Sequence, residues 1–123
     1  MTIRDRGTVI SSLRFEEKHG VLIVYFADAR LMAERKVQEV GKDLMVAADR
    51  ACLSKKMLVN FQGVQFMSSS MIGKLVMLRK RAAKDGISLK LCNITSNIME
   101  VFKITRLNKL FDIDDEAWID HEE

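Results

Sequence analysis

Ser68, Ser69 and Ser70 stand in a row where one apolar run, Met57-Leu58-Val59-Asn60-Phe61, has ended and a helical pattern begins. A serine hydroxyl at such a place has two uses. It can accept a hydrogen bond from one of the unpaired backbone N–H groups of a helix's first turn, which is the common work of a cap. It can also carry a phosphate, because the same N–H groups and the partial positive charge of the helix start stabilise an anion. Phosphoserine brings about −1.5 to −2 charges at neutral pH and alters any interface that touches it. One serine suffices for capping, and three exceed that need, so one of them is a candidate for modification.

The rest of the sequence offers these serines no catalytic company. Nucleophilic catalysis needs a base within hydrogen-bond reach. The histidines, His19 and His121, fall in a short Lys18-His19-Gly20 connection and in an acidic C-terminal stretch. Cys52 and Cys92 lie among apolar neighbours, and their spacing matches no zinc motif. They read as two small buried hydrophobes of a reducing compartment rather than a disulfide. Neither GxxxxGK[ST] nor GxGxxG occurs. No cofactor and no metal are expected.

Past the serines, Ser70, Gly73 and Met77 recur at helical spacing opposite the apolar positions, flanked by Lys74, Lys80 and Arg81. An exposed methionine beside a glycine suits an adaptable contact surface that a partner can approach closely. A solvated face with one stray apolar residue fits the same pattern.

The elements that must position these residues follow from periodicity. Thr8 to Glu17 alternates loosely and reads as an edge-side strand. Gly20 allows a tight turn into Val21-Leu22-Ile23-Val24-Tyr25-Phe26, a continuous β-branched and aromatic run that predicts a strand covered on both faces. From Ala33 the period changes: Val37, Val40, Leu44, Ala47, Ala48 and Ala51 give one apolar helical face. Met57–Phe61 is a buried strand. Met71, Ile72, Leu75, Val76, Leu78, Ala82 and Ala83 mark a second helix, stopped by Gly86. Ile87–Cys92 is another strand. Asn97 and Glu100 suggest a capping box for a third helix with Ile98, Val101, Phe102 and Thr105 inside. Leu110–Ile113 is a last short strand. The order β-β-α-β-α-β-α-β predicts the α/β class, with a mixed, mostly parallel sheet of about five strands and right-handed crossovers.

The 123 residues suit one domain, 1–123, with an acidic C-terminal segment from about 112 that holds Asp112, Asp114, Asp115, Glu116, Asp120, Glu122 and Glu123 around Trp118. The net charge of +3 is too small to argue for nucleic acid, although Arg79, Lys80, Arg81 and Lys84 cluster. No apolar run approaches the roughly 20 residues a spanning helix needs. The opening MTIRDRGT holds no apolar signal segment, so a cytoplasmic location is expected, with no membrane insertion. Prolines are absent, which disfavours a Pro-rich linker.

The stretch Leu58–Leu78, LVNFQGVQFMSSSMIGKLVML, resembles the signature of the STAS domains of bacterial anti-sigma-factor antagonists. There a strand and a glycine turn lead to Asp-Ser-Ser-Gly-Leu-Gly and an apolar helix. Aligned through Gly73, Ser68 falls at the aspartate, Ser69 at the serine that anti-sigma kinases phosphorylate, Ser70 at the second serine, Met71 at the first glycine and Ile72 at the leucine. The resemblance continues through Leu89–Asn93 and Val101–Phe111. It implies a STAS domain whose work is binding, not catalysis. It also implies an anti-sigma kinase-like partner, with any nucleotide reached through that partner, and a switch by phosphorylation of Ser69, with Ser68 and Ser70 as alternatives. The partner-binding residues implied are Asp28, Arg30, Ser68, Ser70, Gly73, Lys74 and Met77. An acidic position after the family's second strand corresponds to Asp28 or to Arg30, and Ser68 replaces the family's aspartate. The alternative the same fold allows is a constitutive adaptor subunit of a transporter or stress-signalling complex, without phosphorylation.

Overall fold

Val21-Leu22-Ile23-Val24 offers no polar side chain to a solvent face, and in the computed structural model, which describes residues 8–10 and 12–113, these four are buried within a sheet strand whose last residues, Tyr25 and Phe26, are half-buried. The elements in order are β1 (Thr8–Ile10), β2 (Leu13–Lys18), β3 (Val21–Phe26), β4 (Arg30–Leu31), α1 (Glu34–Ser54), β5 (Lys56–Asn60), β6 (Phe66–Met67), α2 (Ser69–Asp85), β7 (Ser88–Cys92), α3 (Ser96–Ile104), α4 (Leu107–Leu110) and β8 (Asp112–Ile113). The main sheet runs β1-β2-β3-β5-β7-β8. Its first two pairings are antiparallel and the other three parallel. The mixed, mostly parallel α/β architecture expected from the periodicity is therefore the one observed.

Each local choice has a cause. His19 and Gly20 both take left-handed backbone (φ 54° and 76°), which gives the two-residue turn the twist that the β2–β3 hairpin requires. Gly86 ends α2 in the same region (φ 70°), and its N–H is shared between the carbonyls of Ala82 and Ala83. Val37, Val40, Leu44, Ala47, Ala48 and Ala51 of α1 and Met71, Leu75, Leu78 and Ala82 of α2 are buried. Those two helical stripes pack on Leu22, Val24, Met57, Val59 and Leu91 of the central strands. Phe61 sits in that core between Phe26 (5.1 Å between ring centroids) and Phe102 (6.0 Å, edge-on). Across the sheet, Val21, Ile23, Leu58 and Cys92 form a second apolar cluster.

Four details depart from the sequence reading. The first run divides into β1 and β2, so the sheet gains a strand at its edge. Asn97 and Glu100 do not cap α3. Thr95 does, accepting from the Ile98 N–H at 3.4 Å, because the chain reaches its helical turn two residues sooner. Leu110 closes α4, and the last strand starts at Asp112. A two-stranded ladder, β4 with β6, was too short to show any period. The acidic segment after Ile113, with Trp118 and His121, lies outside the described residues. Cys52 and Cys92 are thiols; Cys92 is buried as its setting suggested, whereas Cys52 is only half-buried, its thiol within reach of Asp85 at 3.7 Å.

Polar contacts fasten the helices. The buried Ser12 hydroxyl donates to Asp43 of α1 at 2.6 Å. Arg81 of α2 bonds both Asp49 (2.5 Å) and Asp85 (2.6 Å). Arg81's hydrogen bond holds the Asp85 carboxyl below its ordinary range, against a smaller opposing effect of desolvation. A carboxyl depressed by folding contributes stability above its unfolded pKa and loses it as pH falls through its folded value. The stability difference between the wild type and Arg81→Met, read from urea midpoints, therefore shrinks as pH falls from neutral into the carboxylate range. Leu44→Ala, at a site with no exposure, costs about 2–5 kcal/mol by the same assay.

Candidate functional site

The parallel strands β3, β5 and β7 point their carboxyl ends the same way, so the loops after them meet at one end of the sheet. The loop after β5 opens with a turn at Asn60, whose side-chain oxygen accepts from the Gln62 N–H at 2.8 Å, and Gly63 takes φ 87°. The chain then runs beside the loop after β3. Ala29 O accepts from the N–H groups of both Gln65 (2.8 Å) and Phe66 (3.2 Å), β4 pairs with β6, and Leu31 O accepts from the Ser68 N–H (3.0 Å). The two loops are thus laced together by backbone bonds up to the first residue of the serine run.

There the three serines part. Ser68 takes extended backbone and caps α2, its Oγ accepting from the Met71 N–H at 3.2 Å. Ser69 begins the helix and is exposed. Ser70, also exposed, donates to Glu34 Oε1 of α1 at 3.5 Å. Capping therefore uses one serine of three, and Ser69 is left at the first turn with its hydroxyl accessible.

From Ser70 a polar chain ties the two helices. Gln38 donates to Glu34 at 2.6 Å, and Lys74 Nζ donates to Gln38 at 3.1 Å. The Lys74 stem lies over Gly41 of α1: a Cβ there would meet Lys74 Cδ at 2.7 Å. The missing Cβ at Gly41 leaves the room in which the lysine stem nests. Gly73 is different. It is exposed, and nothing lies within 4 Å of where its Cβ would stand. A glycine inside a helix costs about 1 kcal/mol relative to alanine, and no contact within the described residues requires it. One turn on, Met77 is 55% exposed.

The other residues singled out from sequence fall around this face. Asp28 pairs with Lys36 at 3.0 Å, and that hydrogen bond raises the lysine's pKa. The guanidinium of Arg30 lies over the Phe66 ring at 4.8 Å. Both lie on the loop laced to the serine loop. Lys80 is exposed, whereas Arg81 is engaged with the two aspartates described above. Sequence reasoning missed Glu34, Gln38, Met32 and Phe66. Met32 and Phe66 are large, apolar and 47% and 43% exposed, flanking the laced segment. The signal for Phe66 was its isolation: an aromatic residue outside any apolar period, two positions before the serines.

The arrangement can bind. It offers an apolar rim (Met32, Phe66, Met77), an accessible serine at a helix start and a bare backbone patch at Gly73. Among the described residues no group of histidine, cysteine, aspartate and glutamate could hold a metal ion, and no helix is long and apolar enough to cross a membrane. Ser68→Ala is expected to cost about 1 kcal/mol in denaturant unfolding through the lost cap. Ser69→Ala is expected to change stability by less than about 0.5 kcal/mol. Gly73→Ala should raise stability by up to about 1 kcal/mol, since the position is open and helical.

The family model for the STAS domain matches residues 12–118. Among solved structures, a STAS-domain anti-sigma-factor antagonist protein from Planctomyces limnophilus superposes with TM-score 0.70 at 24% identity, covering 82% of this chain and 87% of that one. A Thermotoga maritima protein described as a candidate anti-sigma factor antagonist gives 0.69 at 15% identity, covering 82% and 84%. The Bacillus cell fate determinant SpoIIAA, in its phosphorylated form, gives 0.61 at 15% identity, covering 84% and 91%. These likenesses establish a shared fold.

Proposed function

Since the chain belongs to the STAS domain family, we propose that residues 1–123 act as a cytoplasmic anti-sigma factor antagonist-like regulator, which binds a kinase-like anti-sigma protein and is switched by phosphorylation of Ser69. The observation that carries this reading is the exposed face of α2, where a glycine that nothing in the fold requires stands between an accessible serine and an exposed methionine. A partner helix or loop packs against backbone at Gly73, and Met32, Phe66 and Met77 supply apolar contact around it. Nucleotide belongs to the partner; the chain itself is substrate and ligand, not enzyme.

Charge makes the switch. Phosphate on Ser69 places about −1.5 to −2 charges at the first turn of α2, where the unpaired N–H groups stabilise it within the chain. The same charge stands in the docking face and must be desolvated if a partner stays bound, so modification releases the partner. A constitutive adaptor role is the second reading, and one observation favours it: Ser68 caps α2 at the position where the family signature has aspartate, so the residue preceding Ser69 carries no carboxylate.

Affinity capture from native lysate with the wild type, Ser69→Ala and Ser69→Asp, read by mass spectrometry for partners and phosphosites, separates the two. A kinase-fold partner kept by Ser69→Ala, lost by Ser69→Asp, with phosphate on Ser69 of the wild type, is the expected result. Identical partners on all three proteins, with Ser68, Ser69 and Ser70 unmodified, would overturn the switch in favour of the adaptor.

A further inference from the structure

Helices α1 and α2 together hold nine basic and five acidic residues, a surplus of four, whereas the whole chain carries +3. The two helices are therefore the cationic side of the molecule. Their five carboxylates are committed within the fold. Glu34 accepts from Gln38 and Ser70, Glu39 pairs with Lys36, Asp43 accepts from Ser12, and Asp49 and Asp85 share Arg81. The surplus falls on cations that reach the surface, since Arg35, Lys42, Lys80 and Lys84 are all exposed. Two cross-links fix how the helices face each other, Lys74 with Gln38 and Arg81 with Asp49. Between them fall Lys42, Met45 and Val46 of α1 and Met77 and Lys80 of α2. Met77 and Val46 are exposed and Met45 is half-buried. One turn before Met77, Gly73 leaves its backbone open. The result is an apolar centre on Met77 with lysines about it.

We propose that this patch receives an acidic protein surface, with an apolar side chain seated on Met77 and carboxylates facing Lys42 and Lys80. The inference rests on the docking face proposed above and names the chemistry of its partner. Charge complementarity selects an anionic occupant, and the centre of the patch selects protein among the anionic classes. Nucleic-acid backbones are held by cationic and polar side chains, and an exposed thioether adds nothing to a phosphate contact. A lipid surface holds a peripheral helix through a broad apolar face, whereas the apolar stripes of α1 and α2 are turned into the core. A single methionine ringed by lysines fits a protein segment with an apolar residue or two among acids, and the thioether adapts to its shape. Lysines at such a rim steer the encounter and set its salt dependence more than its lifetime. Lys80 lies eleven residues beyond Ser69, about 16 Å along the helix axis, which is twice the screening length of about 8 Å at physiological salt. The lysine end and the serine end are thus electrostatically separate, and either can fail alone.

The probe is a synthetic helical peptide with leucines on one face and glutamates flanking them, titrated into the isotope-labelled full chain. Amide shifts are expected at Lys42, Gly73, Met77 and Lys80, with affinity falling as salt is raised. Lys42→Glu/Lys80→Glu should weaken binding about tenfold and Met77→Ala several-fold, while Lys109→Glu on α4 leaves it unchanged, each variant being checked for its fold by circular dichroism. A peptide that shifts no amide of α1 or α2 overturns the proposal. Tighter binding of a duplex oligonucleotide, or of phosphatidylglycerol vesicles, through the same amides assigns the patch to that surface and overturns it too. Against a partner captured from lysate, Lys42→Glu/Lys80→Glu is expected to slow association several-fold and to leave the response to Ser69→Asp intact. Equal association by this variant overturns the inference and leaves the switch standing. Loss of the Ser69→Asp response, with association still slowed, sinks the switch and upholds the docking chemistry.

Discussion

The parallel pairing of β3, β5 and β7 is the constraint on which everything else rests. Parallel neighbours require a crossover, and here α1 and α2 are those crossovers, which obliges both helices to lie on the sheet beside each other. The same pairing gathers the carboxyl ends of three strands at one end of the molecule, so the loop holding Asp28 and Arg30 and the loop holding the serines become neighbours. Ligand-binding loops of open α/β sheets collect at this end for the same reason. The strands can pair in this way only because Val21–Val24 and Met57–Asn60 tolerate burial on both sides.

Backbone bonds then carry positional precision to the site. Phe61, Gln65, Phe66 and Ser68 all donate their N–H groups to carbonyls of neighbouring strands or loops, which leaves the segment little freedom before α2 begins. Ser68 completes this series as a cap. The result is a division of labour among three chemically identical residues, decided by backbone geometry: one hydroxyl caps α2, one bridges to α1, and the third belongs to an exposed residue of the first turn.

Much of this was legible before any coordinates. The change of period from two to between three and four at Ala33, the glycines at 20 and 86, and the apolar stripes of α1 and α2 all fell where the physics of strands, turns and caps puts them. The site was legible as a motif, in Ser68-Ser69-Ser70 ahead of Gly73 and Met77. What the sequence could not carry was tertiary. The β4–β6 ladder has two residues per strand and no period; the Glu34–Gln38–Lys74 chain joins positions up to 40 residues apart that only the helix pairing brings together. Thr95 and Asn97 are both good caps by type, and the choice between them depends on Val64, whose carbonyl accepts from Thr95 Oγ1 at 2.7 Å.

The nesting of Lys74 over Gly41 has a bearing on recognition. A lysine side chain on an open surface samples many rotamers, and fixing it at an interface costs about 0.5–1.5 kcal/mol. Here the stem is already confined between helices and the ammonium already directed by Gln38. Part of that freedom is given up on folding, where the half-buried side chain packs over α1. An acidic group arriving at this surface would meet a cation whose position is set in advance, and the contact would discriminate between partners by shape as well as by charge.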